Sequence, residues 1–337
     1  MKEKGTMKLF AVIIAGGSGE RLWPLSTSER PKQFVTLFGG VPLIAQAVER
    51  VDGMIAPENV LVVTGEALVA QTVAALPKLP RANILGEPCR RNTAAAVALA
   101  VREVRARAGD DAVIAILTAD HLIEPAAAFR STLAKAVDRA FNDRRIVTIG
   151  IRPTYAATGF GYIDAAAEPP RFVEKPDRAR AEEFLRAGHF LWNSGMFIFR
   201  ADVMAAELAA LAPSAARLLD AADWRALYPE LESISIDYAV MEKTAAIAVV
   251  PSEFEWSDVG SWSAVADRFG RDGDGNTLLG DVTALDTTGT LVVAEKGRRV
   301  AVLGLADAVV VETGTATLVA SASKLDRMRA LVAALGK

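Results

Sequence analysis

The stretch LFAVIIAGGSGERLWPLS, residues 9–26, runs from an apolar heptapeptide straight into a cluster of glycines. Leu9–Ala15 has no polar residue and is rich in β-branched side chains, the pattern of a strand buried on both faces in a helix-covered sheet. A glycine-rich turn at the carboxyl end of such a strand lets backbone N–H groups approach phosphate oxygens closely. The spacing fits none of three familiar turns. A dinucleotide fingerprint needs glycine where Leu22 stands, a P-loop needs Gly-Lys after four residues, and a serine-hydrolase elbow around Ser18 needs glycine where Glu20 stands. Two cations do follow: Arg21 at once, then Lys32 within PKQF (31–34). Cations flanking a backbone nest suit a polyphosphate better than an ordinary loop.

The same rhythm extends outward. NVLVVTG (59–65), AVIAILTAD (112–120) and IVTIG (146–150) repeat the strand signature, while 42–51, 66–76, 93–108 and 126–142 carry helical spacing with much alanine. Such alternation predicts an α/β fold, a three-layer sandwich around a doubly wound sheet. From residue 159 to about 250 the pattern turns irregular. Strand-like RFVEKP, GMFIFR and AAIAVVP surround helical stretches near 178–187 and 201–212, and the region reads as an insertion building one wall of a pocket. After Arg271, short Val- and Thr-rich strands separated by Gly and Asp lead to a helical tail at 324–335. Residues 1–272 are therefore expected to form the main domain and 273–337 a small β-rich one.

Composition narrows the function. Of 337 residues 51% are hydrophobic and 23% charged, enough for a large core and too apolar for disorder over most of the length. Lys and Arg number 38 against 41 Asp and Glu, and the formal charge of −3 with no long basic run argues against bulk nucleic-acid binding. The single cysteine, Cys89, rules out an intramolecular disulfide framework and a Cys-rich zinc site, and fits a reducing, cytoplasmic compartment. Lys2 and Lys4 before an apolar stretch imitate a signal peptide, but a glycine turn and charges stand where a cleavage site would be. No uncharged run reaches the roughly 18 residues of a membrane span. RDGDGNTLLGDVT (271–283) opens like a calcium loop with Asp272, Asp274 and Asn276, yet Thr277 replaces the required glycine and Thr283 the bidentate glutamate. It reads as an interdomain turn.

GGSGERLWPLS with PKQF resembles the signature of the sugar-nucleotide pyrophosphorylases, in the version typical of mannose-1-phosphate guanylyltransferases. EPCRRNTAAA (87–96) is similar to that family's EPxxRNT segment beside the nucleotide base, with Ala95 where proline is usual. TADHLI (118–123), FGYID (160–164), FVEKPD (172–177), WNSGMF (192–197), IDYAVMEK (236–243) and WSDVGSW (256–262) follow in the family's order. The C-terminal strands resemble the family's small β-helix-like domain, although Thr315 and Ala316 stand where many relatives have Asp-Ala.

The resemblance implies a Rossmann-like nucleotidyltransferase fold and transfer of GMP from GTP to α-D-mannose 1-phosphate, giving GDP-mannose and pyrophosphate. The sugar-phosphate oxygen would attack the α-phosphorus directly, so no protein nucleophile is needed. Such chemistry asks mainly for in-line positioning and neutralisation of phosphate charge. Arg21, Lys32, Asp120 and Asp258 would be the catalytic residues. Asp120 ends a predicted strand, where open α/β sheets place ligands, and with Asp258 would hold the Mg²⁺ cofactor. Gly16, Gly17, Ser18, Gly19, Glu20, Glu87, Asn92 and Thr93 would bind the nucleotide. Gly161, Glu174, Lys175 and Asn193 would bind the sugar phosphate.

Plainer roles compete for some of these residues. Asn92 and Thr93 also suit a helix cap, Trp192, Trp256 and Trp262 suit packing, His121 suits a structural hydrogen bond, and Cys89 is expected to be inert. A manno-heptose or glucose 1-phosphate is the alternative substrate. A non-catalytic sugar-nucleotide sensor would lack the cations and metal carboxylates, all of which are present. A homodimer through the C-terminal region is expected, with no membrane partner. The stretch after residue 273 is too short for the cupin-like isomerase domain of longer relatives, which predicts a monofunctional chain.

Overall fold

The computed structural model describes residues 7–17 and 19–336. Ser18, expected to bind nucleotide, lies outside the described residues, as do Lys2 and Lys4. The chain runs through β1 (Leu9–Ala15), α1 (Leu43–Glu49), β2 (Val60–Gly65), α2 (Val69–Ala75), β3 (Ile84–Glu87), α3 (Asn92–Ala108), β4 (Val113–Thr118), β5 (Leu122–Glu124), α4 (Ala126–Asp143) and β6 (Ile146–Ile151). Then come β7 (Tyr162–Asp164), β8 (Arg171–Val173), α5 (Arg178–Ala187), β9 (Phe190–Arg200), α6 (Ala201–Leu211) and two single-turn helices, α7 (Pro213–Ala216) and α8 (Trp224–Leu227). After β10 (Ile247–Pro251), β11 (Glu255–Ser257) and α9 (Trp262–Phe269) follow β12 (Thr277–Leu279), β13 (Asp281–Leu285), β14 (Leu291–Ala294), β15 (Arg299–Leu303), β16 (Ala308–Glu312), β17 (Thr317–Ser321) and α10 (Met328–Ala334). Contacts gather these elements into two compact units.

One unit comprises the described residues up to Gly16 together with Ala45–Ala119 and Ile123–Trp256. Its sheet has the order β10-β6-β9-β4-β1-β2-β3, with β7 and β8 added beside β9. β1 is parallel to β2 and β4, β2 to β3, and β6 to β10, whereas β9 runs antiparallel to both β4 and β6. The buried runs alternate between two faces, as strands must. Phe10, Val12, Leu61, Val63, Ile114 and Ile116 share one core with α3 and α6. The intervening Ala11, Ile13, Val62 and Ala115 are equally buried, and α4 packs on the sheet through β4, β6, β9 and β10. Alanines 94–96, 98 and 100 on α3 are buried, and such small side chains let the helix lie close to the strands.

The irregular region 159–250 proves to be more than a wall. It supplies β9, which lies in the middle of the sheet, and the edge strand β10. Residues 190–194, FLWNS, lack the apolar continuity of the parallel strands, so their half of β9 was not evident as sheet.

The other unit comprises Gly17–Ile44 apart from Ser18, Asp120–Leu122 and the described residues from Ser257 onward. β12, β14 and β16 pair in parallel, β17 closes that sheet antiparallel, and β13 pairs in parallel with β15. Leu291, Val293, Val309, Val311 and Leu318 from these strands share a core with Trp23, Leu25, Phe38, Trp262 and Val265. Contacts therefore group the segment carrying PKQF with the C-terminal strands, although the two are far apart in sequence. In the calcium-like stretch, Asp272 Oδ1 accepts the backbone N–H groups of Asp274 and Asn276, and buried Asn276 ties down Thr287 and Thr290. It is a capped turn. No helix among the described residues is long and apolar enough to cross a membrane.

Candidate active site

A charged cluster lies in the second unit. Gly19 adopts φ 66°, a left-handed conformation open to glycine, and a Cβ there would come within 2.4 Å of the Lys32 Cβ. The glycine thus lets the turn press against Lys32, whose side chain is only 8% exposed. Its ammonium donates to Asp120 Oδ2 at 2.8 Å and to the backbone carbonyl of Asp258. Asp120 lies just before β5 and Asp258 just after β11, and the pairing of those two strands accounts for the juxtaposition. Burial pushes the Asp120 carboxyl up, but Lys32 and His121 overrule it and hold the acid down to about 2. His121 Nε2 is 3.8 Å from Asp120 Oδ1, an ion-pair separation.

The backbone next to Asp258 is strained. Val259 is β-branched, completely buried, and has φ 44°, a conformation that costs on the order of 1–3 kcal/mol and persists only where neighbours enforce it. Ser257 Oγ accepts the Val259 N–H and Asp258 Oδ1 accepts the Gly260 N–H, both at 3.1 Å. Asp258 Oδ2 accepts no hydrogen bond among the described residues. The donor set fits a hard divalent cation: it is all oxygen, and Asp120 is ionised at neutral pH. No cluster of three or more His, Cys, Asp or Glu among the described residues could hold a metal. A pair of carboxylates suits an ion that takes its other ligands from phosphate and water. Arg21 is exposed. Glu20 and Gly17 are exposed as well.

The first unit holds a different group. A Cβ on Gly161 would meet Glu174 Oε2 at 2.6 Å and the Phe172 ring at 2.9 Å, so the absence of a side chain is what admits the buried Glu174 carboxylate. Lys175, with φ 42°, turns its ammonium onto Glu174 Oε1 while remaining exposed. The Gly161 carbonyl accepts the Asn193 N–H at 2.8 Å, which ties the two segments together. Asn193 is clamped at both ends. Its Nδ2 donates to Asp237 Oδ1 at 3.1 Å, and its Oδ1 accepts from the Gly195 N–H and the Thr148 hydroxyl. Burial and the neighbouring Glu174 push the Asp237 carboxyl up to about 6, against opposition from Lys175 and Asn193. Glu242 accepts the Glu174 N–H at 2.9 Å. Beside Asn193, Trp192 is buried in edge-on contact with Tyr155 and Phe160, and Phe160 also meets Trp256. Two tryptophans are thus packed; the third, Trp262, is buried in the other unit and donates its Nε1–H to the Trp23 carbonyl.

At the end of β3 in the same unit, Glu87 is 9% exposed and accepts a hydrogen bond from Tyr228. Asn92 opens α3 with φ 62°, and its Oδ1 accepts the Thr93 N–H at 2.9 Å, while Thr93 Oγ1 accepts the Ile236 N–H at 2.8 Å. Arg91 holds the cap position of α3 with no side-chain cap bond, so neither Asn92 nor Thr93 is the cap; Thr93 fastens a distant loop instead. Cys89 is half-buried and packs against the core.

Asp237, Glu242 and Tyr228 were not among the residues expected in a site. Asp237 and Glu242 stand inside IDYAVMEK, so a carboxylate search within that motif would have found them, but nothing around Tyr228 marks it. The strained Val259 carried no signal at all.

Residues 10–273 match the family model described as "Nucleotidyl transferase", and 280–335 match "MannoseP isomerase/GMP-like beta-helix domain". A mannose-1-phosphate guanylyltransferase of Escherichia coli is 39% identical over 335 residues, covering 92% of this chain and 70% of the relative. The alginate biosynthesis protein AlgA of Pseudomonas aeruginosa is 40% identical over 348 residues, covering 96% of this chain and 71% of its own length. Among solved structures, one titled mannose-1-phosphate geranyltransferase, from Thermus thermophilus, superposes with a TM-score of 0.89 at 36% identity, covering 98% of this chain and 100% of that one.

Proposed function

The chain belongs to the nucleotidyl transferase family, within the group of the mannose-1-phosphate guanylyltransferases, and from that premise we propose that it transfers GMP from GTP to α-D-mannose 1-phosphate. GDP-mannose and pyrophosphate are the products. The observation that carries this reading is the buried Lys32 ammonium joined to Asp120 and to the Asp258 backbone beside a glycine-rich turn. A phosphate monoester dianion is already a nucleophile; one of its oxygens attacks the α-phosphorus in line, the new P–O bond forms, and pyrophosphate leaves with the electrons of the broken one. Lys32 and Arg21 offset charge on the triphosphate and leaving group. Backbone groups at Gly16, Gly17, Ser18, Gly19 and Glu20 cradle phosphates, and Glu87, Asn92 and Thr93 serve the base. Asp120 and Asp258 would hold Mg²⁺, which when bound draws charge from phosphate oxygens.

Glu174, Asn193 and Gly161 orient the sugar, and Lys175 grips its phosphate. Asp237 belongs with this group, because it fixes the Asn193 amide. The reading assigns catalysis to a domain of residues 1–272 and leaves 273–337 as an appended domain. It also includes a cytoplasmic enzyme and a homodimer through the C-terminal strands, where the register partners Leu285 and Leu303 are exposed. Pyrophosphate release should be measured across a matrix of nucleotides and sugar 1-phosphates. Turnover with GTP and mannose 1-phosphate is the expected result; activity on manno-heptose or glucose 1-phosphate instead would overturn the substrate assignment.

A further inference from the structure

Glu87 ends β3 with its two carboxylate oxygens in unequal settings. Oε1 accepts a hydrogen bond from Tyr228, a residue 141 positions away in sequence whose side chain is completely buried. Oε2 faces Gly16, the residue directly after β1: a Cβ added there would lie 3.9 Å from it. No hydrogen bond among the described residues reaches Oε2. The carboxylate is thus anchored on one side and presented on the other.

The anchor also bears on the charge of the group. Burial pushes the Glu87 carboxyl above the ordinary carboxylate value, while the Tyr228 hydroxyl and Arg90 pull it back. An ionised carboxylate is a pure acceptor, whereas a protonated one also donates. Guanine offers N–H donors at N1 and at its 2-amino group; adenine offers a bare acceptor at N1. When ionised, the carboxylate pairs with the guanine donors and leaves adenine opposed by an unpaired lone pair, the kind of mismatch that discriminates strongly.

We propose that Tyr228 is a positioning residue for nucleobase choice: its hydroxyl fixes the Glu87 carboxylate so that Oε2 is presented to the donor edge of guanine. The inference deepens the guanylyltransferase reading and rests on it. Tyr228 does not touch the base; it acts through Glu87. Its ring, packed against Trp224 at a centroid distance of 6.0 Å, is kept by phenylalanine, so Tyr228→Phe removes the hydroxyl alone.

Steady-state rates with GTP and with ATP at saturating mannose 1-phosphate, for wild type, Tyr228→Phe, Glu87→Gln and the double variant, test it. Tyr228→Phe should raise the KM for GTP about tenfold, change kcat less than twofold, and cut the GTP-over-ATP preference by about the same tenfold. On the Glu87→Gln background the second substitution should change the preference less than twofold. An unaltered preference in Tyr228→Phe, an equal loss with both nucleotides, or full additivity in the double variant would each overturn the role of Tyr228. Wild type that turns over without favouring GTP would instead overturn the guanine reading beneath it.

Discussion

Each of the two units carries a candidate group that sets a lysine against a carboxylate, and the two pairs are built in opposite senses. The Lys32 side chain is 8% exposed against 33% for Asp120, whereas Lys175 is 55% exposed against 5% for Glu174. A buried ammonium must be held in fixed geometry, because its desolvation is offset only by close, satisfied partners. Lys32 is such an anchored charge, tied to a side chain and to a backbone carbonyl. A solvent-exposed lysine tip holds its partner with at most about 1 kcal/mol and can turn to a phosphate without disturbing the core. The Lys32 charge is fixed in place, whereas the Lys175 charge stays in solvent.

On the proposed function, damage to the anchored pair should appear in turnover and damage to the mobile pair in substrate binding. Asp120→Asn or Asp258→Asn should lower kcat at least about a hundredfold, as expected when charge stabilisation of the transition state is lost, with the circular dichroism spectrum kept. Near wild-type rates in both variants would remove the two aspartates from the chemistry. Lys175→Ala should raise the KM for mannose 1-phosphate roughly 10- to 100-fold with a smaller change in kcat. An unchanged KM would break the comparison on its mobile side.

Lys32 allows a sharper test of the anchored side, without turnover. Its ammonium lies 2.8 Å from Asp120, one of the two carboxylates assigned to the metal. Lys32→Met removes that compensation, so Mn²⁺ titrated into nucleotide-free protein and followed by electron paramagnetic resonance should bind up to about tenfold more tightly than in wild type. Weaker or equal binding would mean that Lys32 does not compete for these carboxylates.

Much of the fold was legible because its signals are local. β1, β2, β4 and β6 announce themselves as apolar β-branched runs, and α3 and α4 as long alanine-rich periodic segments. The placement of β9 was not, since periodicity tells which residues face a core but not which strand a segment will pair with. The candidate site divides the same way. Gly19 advertises its left-handed turn by being glycine, while Asn92, Lys175 and Val259 reach positive φ under tertiary enforcement that no local pattern encodes. Tyr228 and Asp237 join the site through partners 141 and 44 residues away. Only the folded chain brings those pairs together.

Asp237 carries the smallest expected effect and gives the contrast a sign. Burial and Glu174 raise its carboxyl from the ordinary 3.8 to about 6, so between those values the folded chain keeps a proton that the unfolded chain has released. Stability linked to Asp237 is therefore fully present below about pH 4 and lost as the pH rises through about 6, the direction required when the native state binds more protons. At neutral pH the ionised group works against the fold, opposite to Asp120, whose low value reflects stabilisation by Lys32. Asp237→Asn keeps an acceptor for the Asn193 amide and removes the charge. Two pH units set a ceiling of about 3 kcal/mol, and the partial solvent contact of Asp237 reduces the expected gain to about 1 kcal/mol. Thermal melts should show the variant more stable than wild type at pH 7.5 and indistinguishable from it near pH 4. Parallel melting curves across that range would mean that Asp237 ionises without strain, and that Asp237 beside Glu174 is tolerated as easily as Asp120 beside Lys32.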